Sequence, residues 1–308
     1  MMQGQGRAKG AEALVASGGL MVTVLLWGAM VPFTALLVAR HDAIAVTAGR
    51  YVLGLLALIP FVLWREGRRL ARGHVPWRRI FMLGAGMAGF TSLYSVGIKL
   101  SDPVTAAVVL SCGPIIASLM ARIMYGESVE KGMPLAIILA VAGAALVLMG
   151  AVRPASDGLV FRGGEILLVV AQLSWTWYSM KAQEWIAPLG WSQVRLSALT
   201  SVACMCWLLA TYIVLLPVGL TEPVRAWPTG PEWLMLFAIG WGSVAIAVPC
   251  WNFGVSRLGV PLASLYVNLT PIIAVGLAAV LGLPMSWLQL VGGLMVVAGV
   301  VQMQVRRL

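Results

Sequence analysis

Ten apolar runs, each close to the length that crosses a bilayer, constrain this 308-residue chain more than any other feature. A helix spans the hydrocarbon core with about 20 residues, and its backbone polar groups must all be satisfied within the segment, so such runs point to an all-α bundle. They fall at about 14–39, 43–64, 79–99, 103–125, 133–151, 163–184, 192–217, 232–255, 260–282 and 286–304. With 60% hydrophobic and 10% charged residues, the chain lies outside the range of water-soluble domains. The first run follows Arg7 and Lys9 and is too long for a signal-peptide core, so it is expected to remain as span one.

The 21 Lys and Arg outnumber 11 acids, yet they sit in short connections and not on one amphipathic face, which argues against nucleic acid and for a lipid surface. If the spans alternate, one side collects fourteen bases, among them Arg7, Arg65, Arg68, Arg69, Arg72, Arg78, Arg79 and Arg257, against five on the other. The positive-inside rule then predicts both termini in the cytoplasm. Every loop is too short for a soluble domain, so function must reside within the bundle.

The chain also repeats itself. Leu100-Ser101-Asp102-Pro103-Val104-Thr105-Ala106-Ala107 returns as Leu258-Gly259-Val260-Pro261-Leu262-Ala263-Ser264, each followed by Pro-Ile-Ile, at Pro114 and Pro271. Trp27 pairs with Trp175, Arg50 with Arg195, Lys99 with Arg257 and Gly143 with Gly299. Five crossings per unit is an odd number, so the second unit must be inverted, the arrangement of secondary transporters that work by alternating access. The expected organisation is a cytoplasmic segment 1–13, a five-helix repeat 14–151, an external linker 152–162, an inverted repeat 163–304 and a cytoplasmic end 305–308. Pro114 and Pro271 mark matched hinges, and Pro249 adds one in span eight.

The residues Leu26-Trp27-Gly28 with Pro32-Phe33, Arg50, the stretch from Ser101 to Ala107, Pro114 and Gly126-Glu127 occur in an order that resembles the EamA-type drug/metabolite transporter superfamily, in particular its bacterial ten-span exporters. The resemblance covers nearly the whole chain. It implies a basket-like bundle of ten helices in a bacterial inner membrane and export of small metabolites such as amino acids. The second half departs from the pattern, with Leu283 opposite Glu127 and Thr176 after Trp175.

A transport site needs polar or aromatic groups deep in the spans. Trp27, Tyr94, Trp175, Trp177, Tyr178, Trp251, Asn252, Tyr266 and Asn268 meet that condition, with Thr270 beside them, and Arg50 could hold a substrate carboxylate. Aromatic faces would attract an ammonium and stack on apolar side chains, so a zwitterion such as an amino acid fits. No acid lies near a span centre, which favours facilitated movement or exchange over proton antiport, with Glu12 and Glu165 in reserve. Proton-coupled export of drugs or other metabolites is the alternative. The sequence carries no His-Glu-x-x-His or embedded acid pair, so an enzyme is not expected, and neither a metal nor a cofactor. The expected partners are a small solute and the bilayer, with the chain able to act as a monomer.

Overall fold

The computed structural model describes residues 2–67, 75–101, 112–126, 163–224, 226–267, 269–282 and 286–305, with isolated positions between 106 and 149. Most of the fifth apolar run, and Asn268, lie outside the described residues. The helices are α1 Met2–Val38, α2 Ala43–Glu66, α3 Trp77–Leu100, α4 Gly113–Tyr125, α5 Gly164–Ile186, α6 Gln193–Leu215, α7 Gly230–Ile239, α8 Val248–Val267, α9 Thr270–Val280 and α10 Trp287–Val305. Among the described residues five stretches are long and apolar enough to cross a membrane: Leu14–Val38, Ala43–Glu66, Trp77–Leu100, Gln193–Leu215 and Gly230–Val260. Their outward faces carry Leu56, Leu63, Ile213, Val214 and Leu234, exposed side chains that water would penalise and lipid would not.

Local chemistry sets the ends. Asp42 caps α2, its Oδ1 accepting from Ile44 N and Ala45 N at 2.9 Å each. Ser192 caps α6, and Thr229 with Glu232 forms a capping box at the start of α7. Gly259, at φ 79° and ψ 159°, breaks the helical course of α8; a side chain there would be strained.

The sequence predicts bends at the paired prolines, and the structure sharpens this into a repeated break. Pro114 and Pro271 sit in the first turn of α4 and α9, each after a tight turn: Cys112 N donates to Val109 O at 3.1 Å, and Leu269 N to Tyr266 O at 3.0 Å. Proline suits a first turn because its missing N–H would have no helical acceptor there. Ahead of Pro249 the chain forms a π-helical segment, Gly240–Ala247, which accommodates the N–H that this proline cannot supply.

Side-chain contacts fix the helix directions. Arg50 of α2 meets Met30 of α1 and Thr91 of α3, and Thr47 donates to Ser95, so α1, α2 and α3 alternate up and down. Along α3 and α5, Gly86 faces Trp177, Gly89 faces Ser174 and Gly97 meets Leu168 and Gly164; one helix ascends as the other descends. Thus α5 runs opposite to α1, its counterpart in the sequence repeat.

The packing also exchanges between halves. α3 packs on α5 and α6, while α8 and the π segment pack on α1, and the π segment also on α2. α4 packs on α5 as α9 packs on α1, and α2 packs on α6. Two buried clusters result, one around Tyr94, Leu168 and Ala274, the other around Trp175, Tyr178 and Trp251, and Trp27 and Phe90 pack against both.

Candidate functional site

At the junction of those clusters four aromatic rings from four helices close on one another. The Trp27 and Trp175 ring centroids are 5.1 Å apart and nearly perpendicular, Trp251 lies 5.4 Å from Trp27, and Phe90 lies 5.1 Å from Trp175. Edge-to-face and tilted contacts of this kind hold rings more firmly than apolar burial alone. They border a cavity completed by Met30, Gln172, Thr176, Ser179, Ser264 and Thr270, with Pro114 in its wall. Its free volume is only about 30 Å³, room for water but not for a metabolite, so the central site is closed in this conformation.

Two of the three indole N–H groups are occupied. Trp27 Nε1 donates to Ser243 O at 3.4 Å and Trp251 Nε1 to Ser179 Oγ at 3.1 Å. The π-helical segment supplies the first acceptor, and Ala247 O takes a bond from Thr23 Oγ1 at 3.2 Å. The irregular backbone therefore ties the π-helical segment to α1 beside the cavity.

The sequence-predicted residues do not all meet at the cavity. Trp27, Trp175 and Trp251 line the cavity. Tyr178 and Asn252 lie behind it and bond to each other: Asn252 Nδ2 donates to Tyr178 Oη and to Ser197 Oγ, both at 2.9 Å, and Thr200 Oγ1 is 3.4 Å from the phenol. This network joins α5, α6 and α8, and both leading residues are essentially inaccessible, at 0% and 1% exposure. Trp177 packs against Gly86 and Trp185, and Tyr266 donates to Ser17 Oγ at 2.7 Å; neither reaches the cavity. Pro249 lines a lateral groove between α2, α6 and α8.

Tyr94 and Arg50 occupy a second buried region, on α3 and α2. Tyr94 stacks on Phe90 with centroids 5.6 Å apart, and its hydroxyl has no hydrogen-bond partner. Arg50 is 3% exposed, directed at the Met30 sulfur and Thr91 Oγ1, with its guanidinium 5.6 Å from the Tyr51 ring. Arg195 instead stacks on Trp191 at 4.3 Å near the start of α6.

Polar contacts join the halves at both ends. At the α1–α2 connection Glu232 lies 3.3 Å from His41 and 3.5 Å from Arg40, and Asp42 Oδ2 accepts from Glu222 N at 3.1 Å. At the other end Arg257 pairs with Glu12 at 3.1 Å, Ser192 bonds Glu66, and Arg79 reaches Trp185 O at 3.3 Å.

Sequence reasoning missed Met30, Phe90, Gln172, Thr176 and Ser179 as lining residues. Gln172 carried a readable signal, a primary amide in mid-span; Met30 and Phe90 resemble any lipid-facing or core residue until their neighbours are known.

Comparison with known proteins places this architecture. A family model described as the EamA-like transporter family matches twice, over residues 16–149 and 162–303. The uncharacterized transporter YyaM of Bacillus subtilis (strain 168) is 23% identical over 258 residues, 82% of this chain and 81% of its own. The aromatic amino acid exporter YddG of Ancylobacter novellus is 27% identical over 199 residues, 64% of this chain and 65% of its own. The inner membrane protein YtfF of Escherichia coli (strain K12) is 26% identical over 243 residues, covering 73% and 72%. A solved crystal structure superposes with TM-score 0.69 at 23% identity over 97% of this chain and 98% of its own, a likeness of fold. Two family matches that together take in both sequence repeats, on an all-helical bundle of apolar spans, make this chain a member of the EamA-like transporter family.

Proposed function

We propose that the protein is a ten-span secondary transporter with both termini in the cytoplasm, built from inverted five-helix units at 14–151 and 163–304 in a bacterial inner membrane. It moves small zwitterionic metabolites out of the cytoplasm, aromatic and apolar amino acids foremost, by facilitated diffusion or exchange, acting as a carrier and not as an enzyme. The observation that carries this reading is the closed aromatic cavity of Trp27, Phe90, Trp175 and Trp251, whose walls come from both halves. Opposite directions of α1 and α5, and exchanged packing partners, support inverted units. A relative named as an aromatic amino acid exporter supports the solute class.

Alternating access then consists of opening one end while the other stays joined. The Glu232 contacts with Arg40 and His41 would part in the outward-open state, and the Arg257–Glu12 pair in the inward-open state. The backbone breaks before Pro114 and Pro271 let α4 and α9 swing without disrupting their own helical bonds.

Counterflow in proteoliposomes tests the assignment. Vesicles loaded with unlabelled L-tryptophan, L-phenylalanine or L-leucine should accumulate the labelled amino acid transiently, and Trp175→Ala should abolish it. Absence of counterflow for every amino acid defeats the solute class. Burial of Glu165 in the first turn of α5 favours a second reading, proton-coupled export of drugs or other metabolites. Accumulation driven by an imposed pH gradient and lost in Glu165→Gln would establish it.

A further inference from the structure

We infer that Arg50 is a carboxylate anchor set behind the aromatic cavity, with Met30 as the movable side chain between them. The inference rests on the proposed transport of small zwitterions and assigns the part of the site that reads the acid group.

Arg50 lies in the eighth position of α2, deep enough to be 3% exposed. A buried guanidinium is costly unless its charge and donors are matched, and carboxylates are its best partners because two parallel N–H bonds fit their two oxygens. Among the described residues no carboxylate pairs with it. Its neighbours are the Met30 sulfur, Thr91 Oγ1 and the Tyr51 ring, and Nε has no hydrogen-bond partner. A thioether is a weak acceptor, so one arm of the guanidinium is spent on a group that cannot repay its desolvation.

Tyr94, within electrostatic reach of Arg50, presents an unpartnered hydroxyl that could donate to the same acceptor. Thr34, one helical turn from Met30 on α1, has an unpartnered Oγ1. The region thus holds a guanidinium without an anionic acceptor, beside two hydroxyls without hydrogen-bond partners. Met30 also lines the closed cavity. A methionine side chain has three soft torsions, so rotating it away joins the cavity to the guanidinium with little cost elsewhere. A zwitterion would then lay its side chain and ammonium among the tryptophans and its carboxylate on Arg50.

Four probes on the purified full-length protein in detergent separate the possibilities, read as ligand-induced thermal stabilisation: L-tryptophan, L-tryptophanamide, indole-3-propionate and tryptamine. Wild-type protein should bind the two carboxylates about tenfold or more tighter than the two compounds without one, Arg50→Gln should erase that difference, and Arg50→Lys should keep part of it. Equal binding of L-tryptophan and its amide by the wild type overturns the anchor and leaves the amino-acid reading standing; this comparison needs no variant to fold. Discrimination by Arg50→Gln as strong as the wild type's also overturns it. Arg50-dependent binding of indole-3-propionate without L-tryptophan keeps the anchor and removes the amino-acid reading, and no response to any probe contradicts both.

Discussion

Two buried polar regions flank the aromatic cavity, and they are opposites in how completely their hydrogen bonds are made. On the α5, α6 and α8 side, Asn252 brings donors and an acceptor to hydroxyls that can do either, and Tyr178, Ser197 and Thr200 close a neutral network around it. On the α1, α2 and α3 side, Arg50 brings only donors to a sulfur, a hydroxyl and a ring, and Tyr94 adds a hydroxyl with no partner. A satisfied network resists rearrangement, since every broken bond leaves a desolvated group behind; an incomplete one gains by admitting the missing partner. The difference assigns framework to one flank and recognition to the other, although the register that pairs Lys99 with Arg257 in the sequence repeat also pairs Tyr94 with Asn252.

Substitutions can break that contrast. The largest effect is expected at the shared centre: Trp175→Ala removes a ring packed on Trp27, Phe90, Tyr178 and Trp251, and should cost about 3–5 kcal/mol in reversible unfolding and abolish transport. Next, Asn252→Ala removes both amide bonds, leaving Tyr178 Oη with Thr200 alone and Ser197 Oγ with Gln193 O, and should destabilise by about 2 kcal/mol, a loss of thermal midpoint that added solute does not restore. Tyr178→Phe removes one partner of the amide and should cost about 1 kcal/mol. Smallest is Tyr94→Phe, which deletes an unpartnered hydroxyl and should change stability by less than about 0.5 kcal/mol while weakening binding of carboxylate-bearing solutes. If Tyr94→Phe proved as destabilising as Asn252→Ala, the two flanks would be alike and the contrast would fail.

Much of the fold was legible because lipid imposes a strong rule: long apolar runs must be helices, and the recurring Pro-Ile-Ile exposed the duplication. The π-helical segment between α7 and α8 was not legible. Its residues, Gly240–Ala247, are as apolar as those of a regular helix, and only their packing on α1 and α2 reveals the irregular register. The prolines were read as bends within continuous helices, whereas the backbone breaks two residues earlier, at Cys112 and Leu269, through short-range bonds that leave no pattern in residue type. For the site, three tryptophans were found from depth alone. Tyr178 and Asn252 look equally suitable for a pocket in sequence, and their mutual bonding depends on how α5 and α8 are rotated, which hydropathy does not encode. Asn268, also a sequence candidate, is outside the described residues.

The central claim, a single aromatic site reached alternately from the two faces of the membrane, meets its most direct test at Thr176, which lines the closed cavity and directs its hydroxyl at Gln172 O in its own helix. In a background with the four native cysteines replaced, Thr176→Cys in oriented vesicles is exposed to a membrane-impermeant thiol reagent from each side in turn. The account predicts slow labelling from both sides, with L-tryptophan protecting against each. Labelling confined to one side, or equal from both and indifferent to solute, would contradict it.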